Sequence, residues 1–467
     1  MPKQILLNAF NMNCVGHINH GLWTHPRDQS TRYKDVAYWT ELAQLLERGL
    51  FDGLFLADIV GVYDVYQQSV DLPLRESIQL PVNDPLLTVS AMAAATQNLG
   101  FGVTVNLTYE APYLLARRFS TLDHLSNGRI GWNIVTGYLE SAARAMGLGQ
   151  QIEHDERYDR AEEFLDVAYS LWERSWEEGA VRADRTGRVY ADPARVHRIV
   201  HHGKYYDVDG YHLSEPSPQR TPVLFQAGSS GRGQAFAARH AECVFVSQQE
   251  RGTLRKLVSG VRDEVEREGR QRDDIKFFMG MSIVTAPTER EAREKYDDYV
   301  RYANPEAGLA HYASSSGIDF SRYAPNEPIR YVKNNAIQSV VKNLTAAGRE
   351  RTVADILSQE LQLGGRYPTL VGSASQVADE LVAWIEDTGI DGFNLARTVT
   401  PECYRDFIDL VVPELQARGA YKTGYAPGTL REKIFGAGRA YLPVAHAAAA
   451  KRHERHACDD KSVKKTA

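Results

Sequence analysis

The sequence predicts an α/β fold in which eight parallel strands close into a barrel. Short apolar runs alternate with amphipathic helical segments along most of the 467 residues, and most of the predicted strands are followed by a helix. The runs are almost continuously apolar, which is typical of a parallel sheet covered on both faces. A closed barrel is the economical arrangement of eight such units, and a doubly wound open sheet is the alternative.

The eight predicted strands cover residues 5–10, 53–57, 101–106, 129–135, 223–227, 243–247, 276–284 and 393–396. The 3.6-residue spacing of apolar side chains predicts helices at residues 35–50, 86–96, 112–125, 155–172 and 233–241. In the first helix, Trp39, Ala43 and Leu46 fall on one stripe. Asp84 and Pro85 supply a cap and a first-turn proline for the second helix.

Three long stretches interrupt this alternation, at residues 59–82, 177–220 and 303–367. In a barrel, such excursions leave from strand ends and build the substrate pocket or a lid. We therefore expect one barrel domain over residues 1–440. Residues 444–467 are rich in Ala, Lys and His without apolar periodicity, and we expect a frayed, disordered tail there.

Composition excludes several classes of protein. The chain has 54 Lys and Arg against 60 Asp and Glu, a net charge of −6, and its isoelectric point near 6.2 argues against a general nucleic-acid binder. No apolar run is long enough to span a membrane, and the first residues are too short for a secretory signal. The four cysteines are far apart, which favours a reduced, cytoplasmic protein without a structural zinc site.

Polar residues follow the predicted strands, where a barrel places its active site. They carry little charge, and they lack both the paired carboxylates of a glycosidase and a dense set of metal ligands. Such a site suits a large polar heterocycle. The residues are Asp58, Asn106, Asn133, Thr136, the turn formed by Ala227, Gly228, Ser229 and Ser230, and then Ser247 and Asn394.

The turn at residues 226–233 is the most informative local motif. It follows a strand and opens a helix, so its backbone N–H groups and the helix N-terminus can bind a phosphate. Ser229 and Ser230 add hydroxyl donors, and Arg232 adds charge. A flexible Gly/Ser turn before a helix is the alternative that the pattern leaves open. The spacing matches neither a dinucleotide fingerprint nor a P-loop.

Single residues near the strand ends have two interpretations each. Asp58 either contacts a ligand or caps the next helix, and Tyr158 by pattern alone lies in a solvated first turn. His17 is a candidate acid or base because it leaves a strand end and titrates near neutrality. Cys14 is a weaker candidate nucleophile, since a lone cysteine there is more often a small buried hydrophobe. The histidine clusters lack the carboxylate partners of a metal site, so we expect no metal.

Six motifs together resemble one known family. They are residues 8–17 (NAFNMNCVGH), 54–58 (LFLAD), 120–125 (STLDHL), 132–136 (WNIVT), 154–158 (HDERY) and 215–222 (EPSPQRTP). The chain resembles the bacterial-luciferase-type flavin monooxygenases, in the subgroup of the nitrilotriacetate and dibenzothiophene sulfone monooxygenases. The resemblance runs from about residue 4 to about residue 440.

The resemblance implies a luciferase-type TIM barrel that binds reduced FMN supplied by a separate NAD(P)H-dependent flavin reductase. O2, the co-substrate, would add at the flavin C4a to give a peroxyflavin that oxygenates a small or apolar organic compound, such as a long-chain alkane. A homodimer or homotetramer is expected. The resemblance places Asp58, Gly137, Tyr138, Tyr158 and the turn 227–230 at the flavin. It places Cys14, His17, Tyr63, Gln79 and His311 in the substrate pocket.

Three other activities remain open on the same residues. One is a riboflavin-lyase-type cleavage of a flavin substrate, which would need a second pocket and with which an open Gly137 is compatible. Another is sulfur oxidation of the dimethyl sulfide type, and the third is a flavin-binding barrel without catalysis. One member of the subgroup carries Ser-His where this chain has Gly137-Tyr138. That exchange removes a proton donor and adds bulk and a weaker acid at the expected flavin site.

Overall fold

The structure is a computed structural model that describes residues 3–228, 230–330, 337, 351–359, 362–363, 365 and 367–453. Ser229 is outside these ranges. The described strands are β1 (Leu6–Met12), β2 (Gly53–Ala57), β3 (Gly100–Asn106), β4 (Ile130–Val135), β5 (Val181–Asp184), β6 (Val189–Ala191), β7 (Ile199–His202), β8 (Asp207–Gly210), β9 (Val223–Gln226), β10 (Cys243–Val246), β11 (Lys276–Ala286), β12 (Thr369–Ser373) and β13 (Gly392–Ala396).

Eight of these strands close into a parallel barrel, as the sequence predicts. Hydrogen bonds join them in the order β10-β9-β4-β3-β2-β1-β13-β11, and β10 also pairs with β11. That last pairing closes the sheet and excludes the open doubly wound alternative. Each of the eight matches one predicted strand to within a few residues.

The sequence did not predict the ninth strand of this sheet. β11 is 11 residues long, and β13 pairs with its first part, up to Ser282. From Ser282 to Ala286 the same strand pairs in parallel with β12. β12 therefore extends the barrel wall at one point, beyond the end of β13.

The described helices are α1 (Val36–Arg48), α2 (Asp71–Arg75), α3 (Val89–Ala94), α4 (Pro112–Leu125), α5 (Glu140–Ala145), α6 (His154–Tyr169), α7 (Gly231–His240), α8 (Arg251–Arg267), α9 (Glu289–Val300), α10 (Pro305–Ser316), α11 (Val353–Gln359), α12 (Ala374–Thr388), α13 (Glu402–Asp406), α14 (Val412–Ala417), α15 (Leu430–Phe435) and α16 (Ala447–His453). Their apolar faces pack on the strands in one large core that includes Trp39, Phe51 and Trp132.

The three predicted excursions build structure outside the barrel wall. The first contains α2, and the second forms two antiparallel hairpins, β5–β6 and β7–β8. The third carries α10 and α11, with residues 331–336 and 338–350 outside the described ranges. Side chains of the first and third excursions, among them Tyr63, Ile78, Ala310 and Ile356, share a second apolar core. These two excursions therefore form one unit.

The expected tail does not begin at residue 444. Residues 447–453 form α16, and Ala448 and Ala449 are buried against the barrel helices. His446 is also buried, and its Nε2 lies 2.9 Å from the carbonyl oxygen of His240. Small alanine side chains allow this close packing, which a search for large apolar side chains misses. Residues 454–467 lie outside the described residues.

No helix in the described ranges is long and apolar enough to span a membrane.

Candidate active site

A cavity of about 280 Å³ opens at the carboxyl ends of the barrel strands. Polar side chains from the ends of β2, β3, β4 and β9 form its wall, and Phe10, Phe55 and Phe245 line its aromatic side. The ring centroids of Phe10 lie 5.6 Å from Phe55 and 4.9 Å from Phe245, in edge-to-face contacts. The cavity therefore has one apolar, aromatic side and one hydrogen-bonding side.

Two buried side-chain oxygens of the cavity wall are available to accept hydrogen bonds from a ligand. Among the described residues, no protein group bonds the side-chain oxygens Asn133 Oδ1 and Gln226 Oε1, and both residues line the cavity. Asn133 is held in place because its Nδ2 donates to Thr104 Oγ1 at 2.8 Å. A buried oxygen without a donor costs free energy. A ligand with N–H or O–H groups at these points, such as a polar heterocycle, would remove that cost.

The cavity reaches the N-terminus of α7, where the sequence predicts a phosphate site. Ser230 is the N-cap, and its Oγ accepts a hydrogen bond from the Gly233 N–H at 3.0 Å. The His154 Nε2 lies 3.4 Å from the same Oγ, and Tyr158 lines the same end of the cavity. Free N–H groups and the helix dipole favour an anion here.

Two glycines are sterically required at this turn. A Cβ on Gly228 would lie 2.2 Å from Gln226 Nε2 and 2.8 Å from the Tyr158 hydroxyl, and a Cβ on Gly233 would also lie 2.8 Å from that hydroxyl. The turn and the helix start pack directly on Tyr158. The glycines therefore have a packing role, and the alternative of a merely flexible turn does not explain it.

Arg232 and Ser229 are the other two candidate phosphate contacts of this motif. Arg232 is exposed and bonds Asp159 at 2.8 Å, so its charge is already matched at the surface and the expectation that it adds charge for the phosphate is not supported. Ser229 lies outside the described residues, and its expected contact stays a prediction. Ala227, like Ser230, lines the cavity.

Asp58 follows β2 and lines the cavity. Burial is the main cause that raises the pKa of its carboxyl to about 7, and the nearby carboxylate of Asp84 adds to the rise. At neutral pH a large fraction of Asp58 is therefore protonated. A neutral carboxyl can both donate and accept hydrogen bonds, which makes Asp58 a ligand-binding group that responds to pH.

Gly137 and Tyr138 line the cavity on the β4 side. Gly137 has φ of +68°, and a Cβ there would lie 2.4 Å from Asn106 Nδ2. A side chain at position 137 would therefore collide with Asn106, and the backbone conformation there requires glycine. The Tyr138 hydroxyl lies 3.4 Å from the Tyr63 hydroxyl, so Tyr138 joins the cavity to the neighbouring residues.

Behind Tyr138 lies a buried group that we call the tyrosine–histidine cluster. The Tyr63 hydroxyl donates to Gln79 Oε1 at 2.6 Å, and its ring lies 4.8 Å from that of His311. Gln79 has a backbone φ of +52°, a strained conformation that persists mainly at functional sites. His20 Nε2 lies 3.0 Å from His311 Nδ1. The cluster consists of Tyr63, Gln79, His311 and His20.

Cys14 and His17 lie on the loop after β1, next to this cluster. Burial raises the pKa of the Cys14 thiol to about 12, so Cys14 is uncharged at neutral pH and is not an activated nucleophile. Its Sγ donates to the Gly16 carbonyl at 3.1 Å. The His17 ring contacts Phe10 edge-to-face at 4.6 Å, and Phe10 lines the cavity.

The structure therefore brings the predicted residues together in two adjoining places. The expected flavin residues that it describes line the cavity, while Cys14, His17, Tyr63, Gln79 and His311 lie in the layer beside it. Asn394 is outside both, because its Oδ1 accepts from Asn8 inside the barrel at 3.0 Å. Within the described part of the chain, no set of three His, Cys, Asp or Glu side chains is placed to hold a metal.

Sequence reasoning missed several cavity residues. His154, Arg157, Gln226, Phe236 and Tyr367 line the cavity. His154 and Arg157 lie in the motif HDERY, whose charge density favoured a solvated helix start. Burial of Arg157 and Tyr158 at that helix start depends on how α6 packs against α7, which the local pattern does not contain.

Comparisons with known proteins agree with this architecture. The family model described as luciferase-like monooxygenase matches residues 18–392. The chain is 49% identical over 451 residues to a dimethyl-sulfide monooxygenase from Hyphomicrobium sulfonivorans, covering 96% of this chain and 94% of that protein. It is 50% identical over 450 residues to a long-chain alkane monooxygenase from Geobacillus thermodenitrificans, covering 96% and 98%.

A solved structure adds a third relative. It is a riboflavin lyase with modified FMN and riboflavin, which superposes with a TM-score of 0.91 at 39% identity and covers 96% of this chain and 100% of that one. The relatives thus carry out different reactions on one fold.

Proposed function

This chain belongs to the luciferase-like monooxygenase family, and on that premise we propose that it binds reduced FMN in the barrel cavity and uses O2 to oxygenate a small or apolar organic compound. It is an enzyme, a monooxygenase. One observation carries the flavin proposal. The same cavity contains the N-terminus of α7 at Ser230, two buried side-chain oxygens that no described protein group bonds, and an aromatic wall.

The described side chains suit each part of FMN. The N-cap Ser230, with His154 and Tyr158 beside it, would hold the phosphate. Asn133 Oδ1 and Gln226 Oε1 would accept hydrogen bonds from the ring or the ribityl hydroxyls. When bound, reduced flavin supplies the electrons that activate O2.

The chain's own residues would exclude water and steer protons. The aromatic wall removes water from the reacting face. The Tyr138 hydroxyl is the polar group that lines the cavity and also contacts the tyrosine–histidine cluster, through Tyr63. Tyr63 is oriented by Gln79. In this proposal the Tyr138 hydroxyl donates a hydrogen bond on the substrate side of the cavity, Tyr63, whose hydroxyl proton is donated to Gln79, positions Tyr138, and His311 is the acid or base behind them.

We expect a separate NAD(P)H-dependent reductase to supply the reduced flavin. The sequence shows no dinucleotide fingerprint, which supports an outside source of reduced flavin. The apolar part of the cavity wall, which includes Phe10, Phe55 and Leu139, supports an apolar substrate, such as an alkane or an organic sulfide.

Cleavage of a flavin substrate is a second candidate because the riboflavin lyase superposes so well. It requires room for a second ring system beside the first. Oxygenation is the first candidate because the two relatives of about 50% identity are named monooxygenases.

The testing experiment begins with anaerobic titration of reduced FMN and of reduced riboflavin, followed by mixing with O2. We expect tighter binding of FMN, and faster O2 use with stoichiometric oxygenated product when hexadecane or dimethyl sulfide is present. Product from added riboflavin instead would favour the lyase. Flavin binding with no compound-dependent O2 use would contradict the proposal.

A further inference from the structure

The buried pair of His20 and His311 is not explained by flavin binding. His20 Nε2 and His311 Nδ1 lie 3.0 Å apart, and the two rings meet edge-to-face with centroids 5.1 Å apart. His20 is 0% exposed and His311 is 7% exposed. Neither residue is among those that line the cavity. The His311 ring, however, contacts the Tyr63 ring at a tilt of 33°, and Tyr63 reaches the cavity through Tyr138.

A hydrogen bond between two imidazoles restricts both rings. One nitrogen must carry the hydrogen and the other must accept it, so the tautomer of each ring depends on its partner. Two imidazolium ions at this distance in a buried site would repel each other, so the pair holds at most one extra proton. The remaining nitrogen of His311 therefore carries the hydrogen when Nδ1 accepts from His20, and lacks it when Nδ1 of a neutral ring donates to His20.

Hydrogen bonds attach the loop that carries His20 to the barrel and to helix α10. Asn19 donates from Nδ2 to the Arg397 carbonyl at 2.7 Å and to Ser282 Oγ on β11 at 3.1 Å. The His20 carbonyl accepts from the Asn304 N–H at 2.9 Å, and Asn304 is the N-cap of α10, the helix that carries His311.

Close contact at Gly21 adds to this attachment. Gly21 has φ of +92°, and a Cβ there would lie 2.5 Å from both Asn304 N and the Tyr302 carbonyl oxygen. The loop after β1 and the start of α10 therefore approach each other as closely as backbone allows. Because α10 carries His311, this attachment holds the start of that helix beside the loop that carries His20.

We propose that His20 is a positioning residue that holds His311 in one tautomer and one ring orientation toward the tyrosine side of the cluster. The proposal rests on the proposed function only in assigning a role to His311 in oxygenation. The claim that His20 holds the tautomer and orientation of His311 does not depend on bound flavin.

The first test uses the flavin-free protein, labelled with ¹⁵N in its histidine rings. We compare the wild type, His20→Phe, which removes the hydrogen bond, and His20→Gln, whose amide can replace Nε2. We expect His311, assigned with a His311→Gln variant, to show a single tautomer in the wild type and in His20→Gln and averaged ring ¹⁵N shifts in His20→Phe. Unchanged His311 shifts in His20→Phe would overturn the proposal.

The second test measures turnover with hexadecane and dimethyl sulfide. We expect His20→Phe to lower kcat about tenfold, less than the roughly 10²–10⁴-fold that complete loss of an acid or base costs, because His311 is displaced and not removed. Reduced-FMN affinity and KM should stay unchanged within about twofold, and kcat should recover in His20→Gln. Equal loss in both variants would overturn the positioning role. His25→Gln is the matched control, because His25 lies on the same loop and contacts Asp298 instead.

The two tests separate the two proposals. If the wild type oxidises neither compound, the proposed function fails for these substrates, while the ¹⁵N shifts still decide the role of His20. Thermal unfolding of each variant identifies any loss of activity that comes from misfolding.

Discussion

Individual side chains around the cavity owe their chemistry to burial. The carboxyl of Asp58 and the thiol of Cys14 both have a raised pKa, and in each case burial is the largest cause. For Cys14 the result is an inert thiol. For Asp58 the result is a group that titrates near neutrality, within the cavity proposed to hold a charged cofactor.

Asp58 makes stability depend on pH. Its pKa is 3.8 in an exposed reference state and about 7 in the folded chain, so the folded protein binds the proton more tightly. Its contribution is therefore full below about pH 4 and is lost as the pH rises through about 7. Relative to Asp58→Asn, the wild type should lose about 2 kcal/mol of unfolding free energy between about pH 5.5 and about pH 8.

Denaturant unfolding of both proteins across that pH range measures the difference. If the unfolding free energy of Asp58→Asn falls with pH as steeply as that of the wild type, Asp58 is ionised in the folded state over this pH range.

Ser230 should discriminate between FMN and riboflavin. Ser230→Ala removes a hydroxyl at the α7 N-terminus, so affinity for reduced FMN should fall about tenfold, the cost of one hydrogen bond to a charged group. Reduced riboflavin, which has no phosphate, should bind the variant and the wild type alike. Anaerobic fluorescence titration measures both affinities.

Ser373→Ala is the control for this substitution. Ser373 also caps a helix, α12, but it is half-buried and does not line the cavity. Both variants lose a cap, at a cost of about 1 kcal/mol. A similar loss of FMN affinity in both would mean that Ser230 acts only through helix stability.

At the scale of the element, the turn between β9 and α7 is shaped by contact with α6. Tyr158 on α6 occupies the space that side chains at Gly228 and Gly233 would need. The position of the α7 N-terminus in the cavity therefore depends on how closely the two helices pack.

Gly233→Ala should displace this turn. The new Cβ meets the Tyr158 hydroxyl at 2.8 Å, so we expect about a tenfold loss of reduced-FMN affinity, comparable to one lost charged hydrogen bond. Gly260→Ala is the control, since Gly260 lies inside α8 with nothing within 4 Å of a new Cβ. That variant should gain up to about 1 kcal/mol of stability, because alanine favours helix, and keep its affinity.

Titration of reduced FMN and thermal unfolding of the two variants give the comparison. If Gly233→Ala binds FMN like the wild type, the close packing on Tyr158 does not set the site.

At the scale of the whole molecule, the C-terminal segment is locked to the barrel by a buried ion pair. Arg431 on α15 is 1% exposed and bonds Glu242 at 2.7 Å. It also donates to the carbonyls of Thr221 and Ala440, each at 2.8 Å. Glu242 in turn accepts from the Leu224 N–H at 2.9 Å. The pair thus connects α15 with β9 and the start of β10.

Arg431→Ala should destabilise the whole chain by about 3–5 kcal/mol, because it leaves Glu242 buried without its partner. Denaturant unfolding measures the loss. Arg290→Ala is the matched control, since Arg290 and Glu294 form an exposed pair on α9 that should contribute less than about 1 kcal/mol. If both substitutions lower the free energy of unfolding by less than about 1 kcal/mol, water reaches Glu242.

Sequence reasoning predicted the barrel because barrel strands are local features. A parallel strand covered on both faces is a short apolar run, and all eight runs could be read without knowledge of their partners. The turn before α7 was recognised for the same reason: strand, glycines and N-cap serine are contiguous. Strand ends also meet at one end of a barrel, so Asp58, Asn106, Asn133 and Ser230 could be grouped before any coordinates.

Local patterns of residue type were therefore enough to predict the barrel, the end of the barrel that carries the site and the family to which the chain belongs. The contacts between distant segments became visible only in the folded chain: the contact of His20 with His311, the close approach of Asn106 to Gly137, the burial that raises the pKa of Asp58, the pairing of β12 with the end of β11 and the packing of α16. Each of these depends on three-dimensional distance between residues far apart in the chain, and local patterns of residue type do not encode that distance.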